Sequence, residues 1–221
     1  LDIYNKILKD EPNTVYADYI QFQTGMTFLK LKNLEKSFLA LRNLESNFPT
    51  SRLIPQVQYY LAVGYFSQGS YNQAKDLLEK FIKKFSKDDF VPKAYYLYGK
   101  CFFNLGDYEQ ALAIFRKIIG KFKDRDIEEL VYIDIGNVYL NLSKFEEAKK
   151  IWLEFLKRYP QSQYAGSVLL YLGGLYEKEK DYLKAQKFYE RVLSEHKTSV
   201  FAREALLSLG HLYWNKGDLD K

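Results

Sequence analysis

Small residues that recur every 37 residues constrain this chain more than any other feature. They form one ladder at Gly25, Ala62, Gly99, Gly136, Gly173 and Gly210. An aromatic ladder follows it three residues later, at Phe28, Tyr65, Phe102, Tyr139, Tyr176 and Tyr213. A second ladder of small residues comprises Ser37, Ala74, Ala111, Ala148 and Ala185. Self-similarity at such a fixed period is typical of repeat arrays, in which each unit packs only on its neighbours. We therefore expect a solenoid built from one repeated unit.

The segment 130–160, LVYIDIGNVYLNLSKFEEAKKIWLEFLKRYP, shows what one unit contains. Its apolar residues have helical spacing on both sides of a short polar turn, which predicts two helices, A and B. We expect these two helices to cross closely at their small residues, Gly136 on helix A and Ala148 on helix B. The same pattern elsewhere predicts a lone helix B at 1–9 and a lone helix A at 199–216. Complete pairs are predicted at 14–31 with 34–47, 52–68 with 71–84, 90–105 with 108–121, 126–142 with 145–158, and 163–179 with 182–195.

Proline, glycine and polar residues punctuate the repeats at constant positions. Three prolines, Pro12, Pro49 and Pro160, come where helix B should end, because proline cannot continue a helix. Two others, Pro55 and Pro92, fall in the first turn of helix A, where proline is tolerated. The left-handed residue after helix A is predicted at Gly69, Gly106 and Gly217. N-caps of helix B are predicted at Asn33, Ser70, Asp107, Asp181 and Asp218, with a capping box between Ser70 and Gln73.

The period divides all 221 residues into one array. The predicted boundaries are a half repeat at 1–12, full repeats at 13–49, 50–86, 87–123, 124–160 and 161–197, and a half repeat at 198–221. Because both ends fall inside a repeat, we expect the chain to be a piece of a longer protein. A last helix A without its partner would expose an apolar face.

The net charge, the cysteine content and the length of the apolar runs limit the kinds of function that this chain can have. The net charge of +5 is spread along the chain, and lysines mix with glutamates on helix B, as at Glu146, Glu147, Lys149 and Lys150. This mixture predicts a solvated face and not a nucleic-acid surface. The single cysteine, Cys101, excludes an internal disulfide and is predicted to be a buried small side chain. No apolar run approaches the length of a membrane span.

The sequence contains no spacing of residues that is typical of a catalytic or metal site. We expect His196 to be a packing residue, because it takes the position of Phe48, Phe85, Phe122 and Tyr159, and we expect His211 to lie in a groove. Neither histidine has a carboxylate or cysteine at metal-ligand spacing. The pairs Glu128-Glu129 and Glu146-Glu147 suit helix N-termini. We therefore predict no metal, no cofactor and no enzymatic activity.

Several residues of segment 130–160 carry a family resemblance. Gly136, Tyr139, Phe145, Ala148, Trp152 and Pro160 stand in the order found in the tetratricopeptide repeat (TPR), which the chain resembles over its whole length. The period of 37 departs from the usual value of about 34 residues. The early tryptophan of helix A is replaced by Gln21, Gln58, Tyr95, Tyr132, Leu169 and Leu206. The phrase FLKRYPQSQYA is similar to bacterial periplasmic TPR proteins of the Tol-Pal system and TPR lipoproteins of outer-membrane protein assembly.

The resemblance implies an all-α, right-handed superhelical solenoid of about twelve helices in antiparallel pairs, whose A helices line a concave groove for a partner peptide. The candidate groove residues are Tyr59, Tyr60, Phe66, Tyr96, Lys100, Phe103, Asp134, Asn137, Asn141, Tyr171 and Trp214. A wider set adds Phe22, Met26, Leu140, Glu177 and His211. Asn137 falls where some TPR proteins hold a peptide backbone. Ile133 stands where a carboxylate-binding lysine would be, so recognition of a free C-terminus is not expected. We favour Tyr96, Phe103 and Trp214 as contacts to an apolar or amphipathic peptide.

These patterns predict a non-catalytic scaffold that binds a protein or peptide, placed by the resemblance in the periplasm or at the outer membrane of a bacterium. A lipid anchor would lie outside these residues, self-association is open, and a cytoplasmic location is the alternative. An RNA-binding repeat is a second alternative, but it would need a repeated polar code. The successive pairs Gln56 and Tyr59, Lys93 and Tyr96, Leu130 and Ile133, and Ser167 and Leu170 show no such code. A regulatory module of a larger enzyme is the third alternative.

Overall fold

A computed structural model describes residues 2–10 and 14–216 of the chain, and all regular secondary structure in these residues is helical. The residues form two compact units, with the division after Phe122. The first unit contains α1 (Asp2–Asp10), α2 (Ala17–Lys30), α3 (Leu34–Asn47), α4 (Ile54–Ser67), α5 (Tyr71–Lys84), α6 (Val91–Asn104) and α7 (Tyr108–Lys121). The second contains α8 (Arg125–Asn141), α9 (Phe145–Arg158), α10 (Ala165–Lys178), α11 (Tyr182–Glu195) and α12 (Val200–Lys216).

The even-numbered helices are the predicted A helices, and the odd-numbered helices are the B helices. In the five complete repeats, each helix A packs chiefly on helix B of its own repeat, as a TPR-type solenoid requires. The five complete B helices, α3, α5, α7, α9 and α11, have the predicted bounds residue for residue. Predicted A helices differ from the observed ones by up to three residues. The largest difference is at α2, which begins at Ala17 because Thr14 accepts a turn hydrogen bond from the Ala17 amide.

The two helix types bury different fractions of their surface. Helix B is amphipathic, as in α5, where Ala74, Leu78 and Phe81 form one buried stripe at helical spacing. Helix A is buried on more than one side, as in α10, where seven of the fourteen residues are buried. This difference arises because α10 lies between its own helix B, α11, and the preceding helix B, α9, so it needs apolar residues toward both.

The ladders of small residues mark the contact between helices A and B within a repeat. All five members of the second ladder, from Ser37 to Ala185, are completely buried. At the first repeat, the Ser37 hydroxyl donates to the carbonyl of Gly25 at 2.9 Å, which places helix B against the backbone of helix A. The predicted close crossing is therefore confirmed. Larger side chains at these positions would separate the two backbones.

The A-to-B turn has the same backbone conformation in all five complete repeats. Gly69 and Gly106 have φ values of +76° and +80°, as predicted. Lys32, Ser143 and Lys180 occupy the same repeat position with φ values of +58°, +57° and +63°, which the glycine pattern did not reveal. In each turn the next amide donates to the carbonyl of the ladder aromatic five residues back, as from Lys144 to Tyr139 at 2.8 Å. The left-handed residue closes the end of helix A in this motif.

The predicted N-cap positions that lie in the described residues are confirmed, and three of the four side chains make the capping hydrogen bond. Asn33, Asp107 and Asp181 accept hydrogen bonds from the amide three residues later. Ser70 is the N-cap of α5, but its side chain makes no cap hydrogen bond, so the predicted capping box with Gln73 does not form. The predictions for Pro12, Gly217 and Asp218 fall outside the described residues.

Candidate functional site

All eleven predicted groove residues lie on A helices. Six belong to the first unit and lie on α4 and α6, namely Tyr59, Tyr60, Phe66, Tyr96, Lys100 and Phe103. Five belong to the second unit and lie on α8, α10 and α12, namely Asp134, Asn137, Asn141, Tyr171 and Trp214. Their surroundings show which side chains are accessible to a partner.

An aromatic cluster in the first unit contains two of the predicted residues. The ring of Tyr59 lies 5.3 Å from that of Tyr60 and 5.1 Å from that of Phe90, and Tyr60 also approaches Phe22 at 5.9 Å. Burial, with a smaller contribution from Tyr60, raises the pKa of the Tyr59 phenol to about 12. Phe22 itself is 9% exposed, and Tyr59 and Tyr60 are half-buried. The cluster therefore joins successive A helices and exposes only part of each tyrosine.

Phe66 and Phe103 pack at the turn between helix A and helix B. Phe66 meets Tyr71 edge-on at 5.2 Å, and one repeat later Phe103 meets Tyr108 at 5.6 Å. The Lys100 ammonium lies 5.3 Å above the Phe103 ring. All of these side chains are only partly buried. In both repeats, an aromatic residue of helix A is half-exposed and packs against the first residue of helix B.

Tyr96 lies one helical turn before Lys100 on the same helix. Its ring is tilted against Phe115 of α7 at 6.1 Å, and it is half-buried. Met26, from the wider set of candidates, packs against the hydrophobic core of the first repeats. The half-buried candidates of the first unit are thus mainly aromatic.

The polar candidates of α8 differ in accessibility. Asp134 is 5% exposed, so its carboxylate offers little surface to a partner. The Asn141 amide donates to the carbonyl of Asn137 at 2.8 Å and is exposed at the end of the helix. Asn137 and Leu140 are half-buried. Among the polar candidates on α8, Asn137 and Asn141 are therefore more accessible than Asp134.

The most exposed candidates lie on α10 and α12. Tyr171 stacks on Trp152 at 5.2 Å and remains 45% exposed. Trp214 is 72% exposed, and His211 beside it is also exposed. Glu177, from the wider set, accepts a hydrogen bond from the Tyr189 hydroxyl at 2.8 Å. Tyr171 and Trp214 are large aromatic side chains with free surface on helix A.

One charged side chain was wrongly predicted to be solvated. Lys149 on α9 is 5% exposed, and its ammonium contacts Glu179 at 2.7 Å and Glu146 at 2.6 Å. It also lies 4.8 Å above the Tyr176 ring. Burial lowers the pKa of Lys149, but the hydrogen bonds that its ammonium donates to both glutamates outweigh burial and leave that pKa raised. The Glu179 contact crosses to the next repeat, so the mixed Lys/Glu pattern of one helix could not reveal it.

A serine–carboxylate pair was also missed. The Ser162 hydroxyl donates to Glu129 at 2.7 Å, and both side chains are buried. Ser51 makes the same contact to Asp18 at 2.6 Å three repeats earlier. The recurring Pro-x-Ser phrase at 49–51 and 160–162 was the available signal. This contact ties the turn that follows helix B to the N-terminal part of the helix A with which that helix B is paired.

The other predicted positions are packing groups. Cys101 is completely buried, and burial raises the pKa of its thiol to about 12. The His196 ring ends α11 and lies near Gly166 of the same unit. Within residues 2–10 and 14–216, no three His, Cys, Asp or Glu side chains are grouped as metal ligands would be. None of the described helices combines the length and apolar character needed to cross a bilayer.

Helix pairs that cross at small residues, with a left-handed turn residue every 37 positions, define a TPR-type repeat protein. The family model described as "YfiO: Outer membrane lipoprotein" matches residues 15–213. The chain therefore belongs to the YfiO family. Among proteins with curated functions, none matches the sequence. Proteins of this family and fold are typically non-enzymatic and mediate protein–protein interactions.

Solved structures share the fold at low sequence identity. The apo form of RapI matches with a TM-score of 0.82 and 16% identity, and covers 96% of this chain. The chain spans only 64% of the RapI chain. PilF of Pseudomonas aeruginosa matches with a TM-score of 0.70 and 22% identity, over 92% of this chain and 86% of PilF. A TPR protein of Parabacteroides merdae matches with a TM-score of 0.69 and 14% identity, over 91% of this chain and 74% of that protein.

Proposed function

We propose that this chain is a non-catalytic scaffold that binds a partner peptide or protein along the exposed face of its A helices. The observation that carries the proposal is the exposure of large aromatic side chains there, above all Tyr171 at 45% and Trp214 at 72%. Exposed aromatic side chains on a rigid helix are typical anchors of protein interfaces, because they bury a large area at small cost in conformational entropy. In the first unit, Tyr96 and Phe103 would provide a separate surface of this kind.

The family supports a setting for this activity. Because the YfiO family comprises outer membrane lipoproteins, we place the scaffold at the periplasmic side of the outer membrane, in envelope assembly. In this proposal the lipid anchor lies outside the present residues. Fractionation of the native bacterium with an antibody to the chain would test the location. Recovery in the cytoplasmic fraction would contradict it.

The chemistry of the exposed A helices favours a partly apolar partner. Aromatic rings alternate with a few polar groups, such as Asn137 and Asn141, which suit a peptide that presents apolar side chains and backbone carbonyls. A single-stranded RNA would require basic groups beside the stacking rings. Lys100 is the only cation among the eleven candidates, which argues against RNA as the partner.

Affinity capture from envelope extracts of the native organism tests the proposal. We expect specific partners of the unmodified chain to be lost with Tyr96→Ala or Trp214→Ala. Leu183→Ala is the matched control, because Leu183 is 69% exposed but lies on helix B. The proposal fails if both A-helix variants retain the partners, or if Leu183→Ala loses them equally.

A further inference from the structure

The net positive charge of the protein belongs entirely to its first unit. Residues 1–122 contain 17 Lys and Arg against 12 Asp and Glu, whereas residues 123–221 contain 16 of each. Much of the excess lies near the ends of two B helices. Lys80, Lys83 and Lys84 end α5, and Lys117 and Lys121 occupy the positions of Lys80 and Lys84 on α7. This concentration of charge is not used by the proposed A-helix surface.

A cleft of about 650 Å³ opens between α3 and α5, with α4 beneath it. We call it the basic cleft. It is lined by Arg42, Glu45, Gln58, Leu61, Leu77, Lys80, Lys83 and Lys84. Leu61 is buried and Leu77 is half-buried, so they give the cleft an apolar floor. Four cations surround that floor.

Few carboxylates of the protein pair with the cations of the basic cleft. The one carboxylate in the lining, Glu45, accepts a hydrogen bond from Gln58 at 2.7 Å. Arg42 donates to the neutral Tyr65 hydroxyl at 2.7 Å. Lys83 pairs with Glu79, although its side chain remains 74% exposed.

Neither of the other two cations has a carboxylate partner within residues 2–10 and 14–216. Lys84 lies 5.1 Å above the Phe85 ring, and Lys80 has no ion-pair partner among the described residues. These two ammonium groups therefore remain available to an anionic ligand.

The second unit provides an internal comparison. Arg158 takes the repeat position of Lys84, and it contacts Glu128 at 3.0 Å. Arg191 takes the position of Lys80, and it contacts Glu195 at 2.8 Å. At these two repeat positions, the second unit thus has cations paired with carboxylates, whereas no carboxylate among the described residues pairs with Lys80 or Lys84. General stabilisation of helix C-termini by cations does not explain this difference, because both units have such cations.

We propose that the basic cleft binds an acidic peptide segment of a partner protein, with carboxylates on both sides of an apolar residue. The carboxylates would pair with Lys80 and Lys84, and the apolar side chain would contact Leu61 and Leu77. A recess between two helices admits a side chain but not the flat surface of a membrane. This site lies among B helices, so it is distinct from the aromatic surface of the A helices.

Fluorescence anisotropy of a labelled Glu-Glu-Leu-Glu-Glu peptide tests the proposal with the full chain. We expect saturable binding that weakens at least tenfold in the double variant Lys80→Glu/Lys84→Glu. The double variant Lys157→Glu/Lys187→Glu is the control, because it makes the same charge change at exposed B-helix positions of the second unit. Replacing the peptide's leucine with serine should also weaken binding, since contact with the apolar floor would be lost.

Specific outcomes overturn the proposal. Equal weakening by both double variants would show non-specific attraction, and absence of saturable binding would exclude this ligand. Binding of phosphatidylglycerol vesicles or of an RNA oligonucleotide through Lys80 and Lys84, without peptide binding, would assign the cleft to a different ligand. Circular dichroism of each variant verifies folding. None of these results depends on the A-helix variants, so the two proposals are tested separately.

Discussion

The indole of Trp152 on α9 fills the space that a side chain at Gly136 on α8 would need. Its N–H points toward the carbonyl of Ile133 at 3.4 Å, which fixes the ring across the crossing of the two helices. The same relationship joins Gly99 to Phe115 and Gly173 to Tyr189. Helix B therefore contributes a ring at the point where helix A lacks a side chain. This relationship explains the glycine ladder physically.

Gly136→Ala should lower the free energy of unfolding by on the order of 1–3 kcal/mol, because the added Cβ would overlap the Trp152 indole. Gly136→Leu should cost at least as much. Urea unfolding followed by circular dichroism measures both. Gly210→Ala is the control at the same repeat position, where a Cβ meets nothing within 4 Å. It should raise stability by about 0.5–1 kcal/mol through helix propensity. Similar effects at both glycines would contradict the role of the ring.

Ser143→Gly should stabilise the second unit by on the order of 1 kcal/mol. Ser143 has a φ of +57°, a conformation that costs L-residues energy but not glycine. The reciprocal substitution Gly106→Ser, at a φ of +80°, should destabilise the first unit by a similar amount. Thermal unfolding of the two variants tests this expectation. If Ser143→Gly lowers the melting temperature, the turn position is not strained.

Ser162→Ala should cost about 1–3 kcal/mol, because it removes the hydroxyl that donates to the buried Glu129 carboxylate. Arg125 would remain as a partner of Glu129 at 2.8 Å, which places the expected value toward the lower end. Ser199→Ala is the matched control one repeat later, where the hydroxyl donates only to the His196 carbonyl. Chemical unfolding should show a smaller loss for Ser199→Ala. An equal loss would mean that the carboxylate adds nothing.

The Cys101 thiol should be unreactive in the folded protein. Its pKa is raised to about 12 by burial, which outweighs the opposing effect of Lys75. At pH 8 the thiolate population is therefore roughly 1000-fold smaller than for a free cysteine, and access is blocked as well. A thiol-specific reagent such as Ellman's should react with one thiol per chain in guanidinium and with almost none in native buffer. Rapid native reaction would show that α6 opens easily.

The sequence predicted the repeating features because they are local. Helix B bounds follow from an apolar stripe that ends at proline or at a capping residue, and these signals lie within one helix. The close crossing at Gly136 was predicted from its spacing, but the side chain of helix B that fills the crossing was not identified. The small partner Ala148 was named, whereas the contact is made by Trp152, four residues later. One turn of helix separates the two positions, and the periodicity alone does not distinguish them.

The repeat period, the helix pairs and the placement of all eleven candidate residues on A helices were determined by the sequence alone. Every crossing of helices A and B requires small residues at the same repeat positions. The period can therefore be recognised in the sequence without knowing which residues are in contact. Only the tertiary structure decided that Lys149 is buried between Glu146 and Glu179, and that Lys80 and Lys84 have no carboxylate partner in the part of the chain that the structure describes. The contact between Lys149 and Glu179 joins two repeats, and such a contact leaves no periodic trace in the chain.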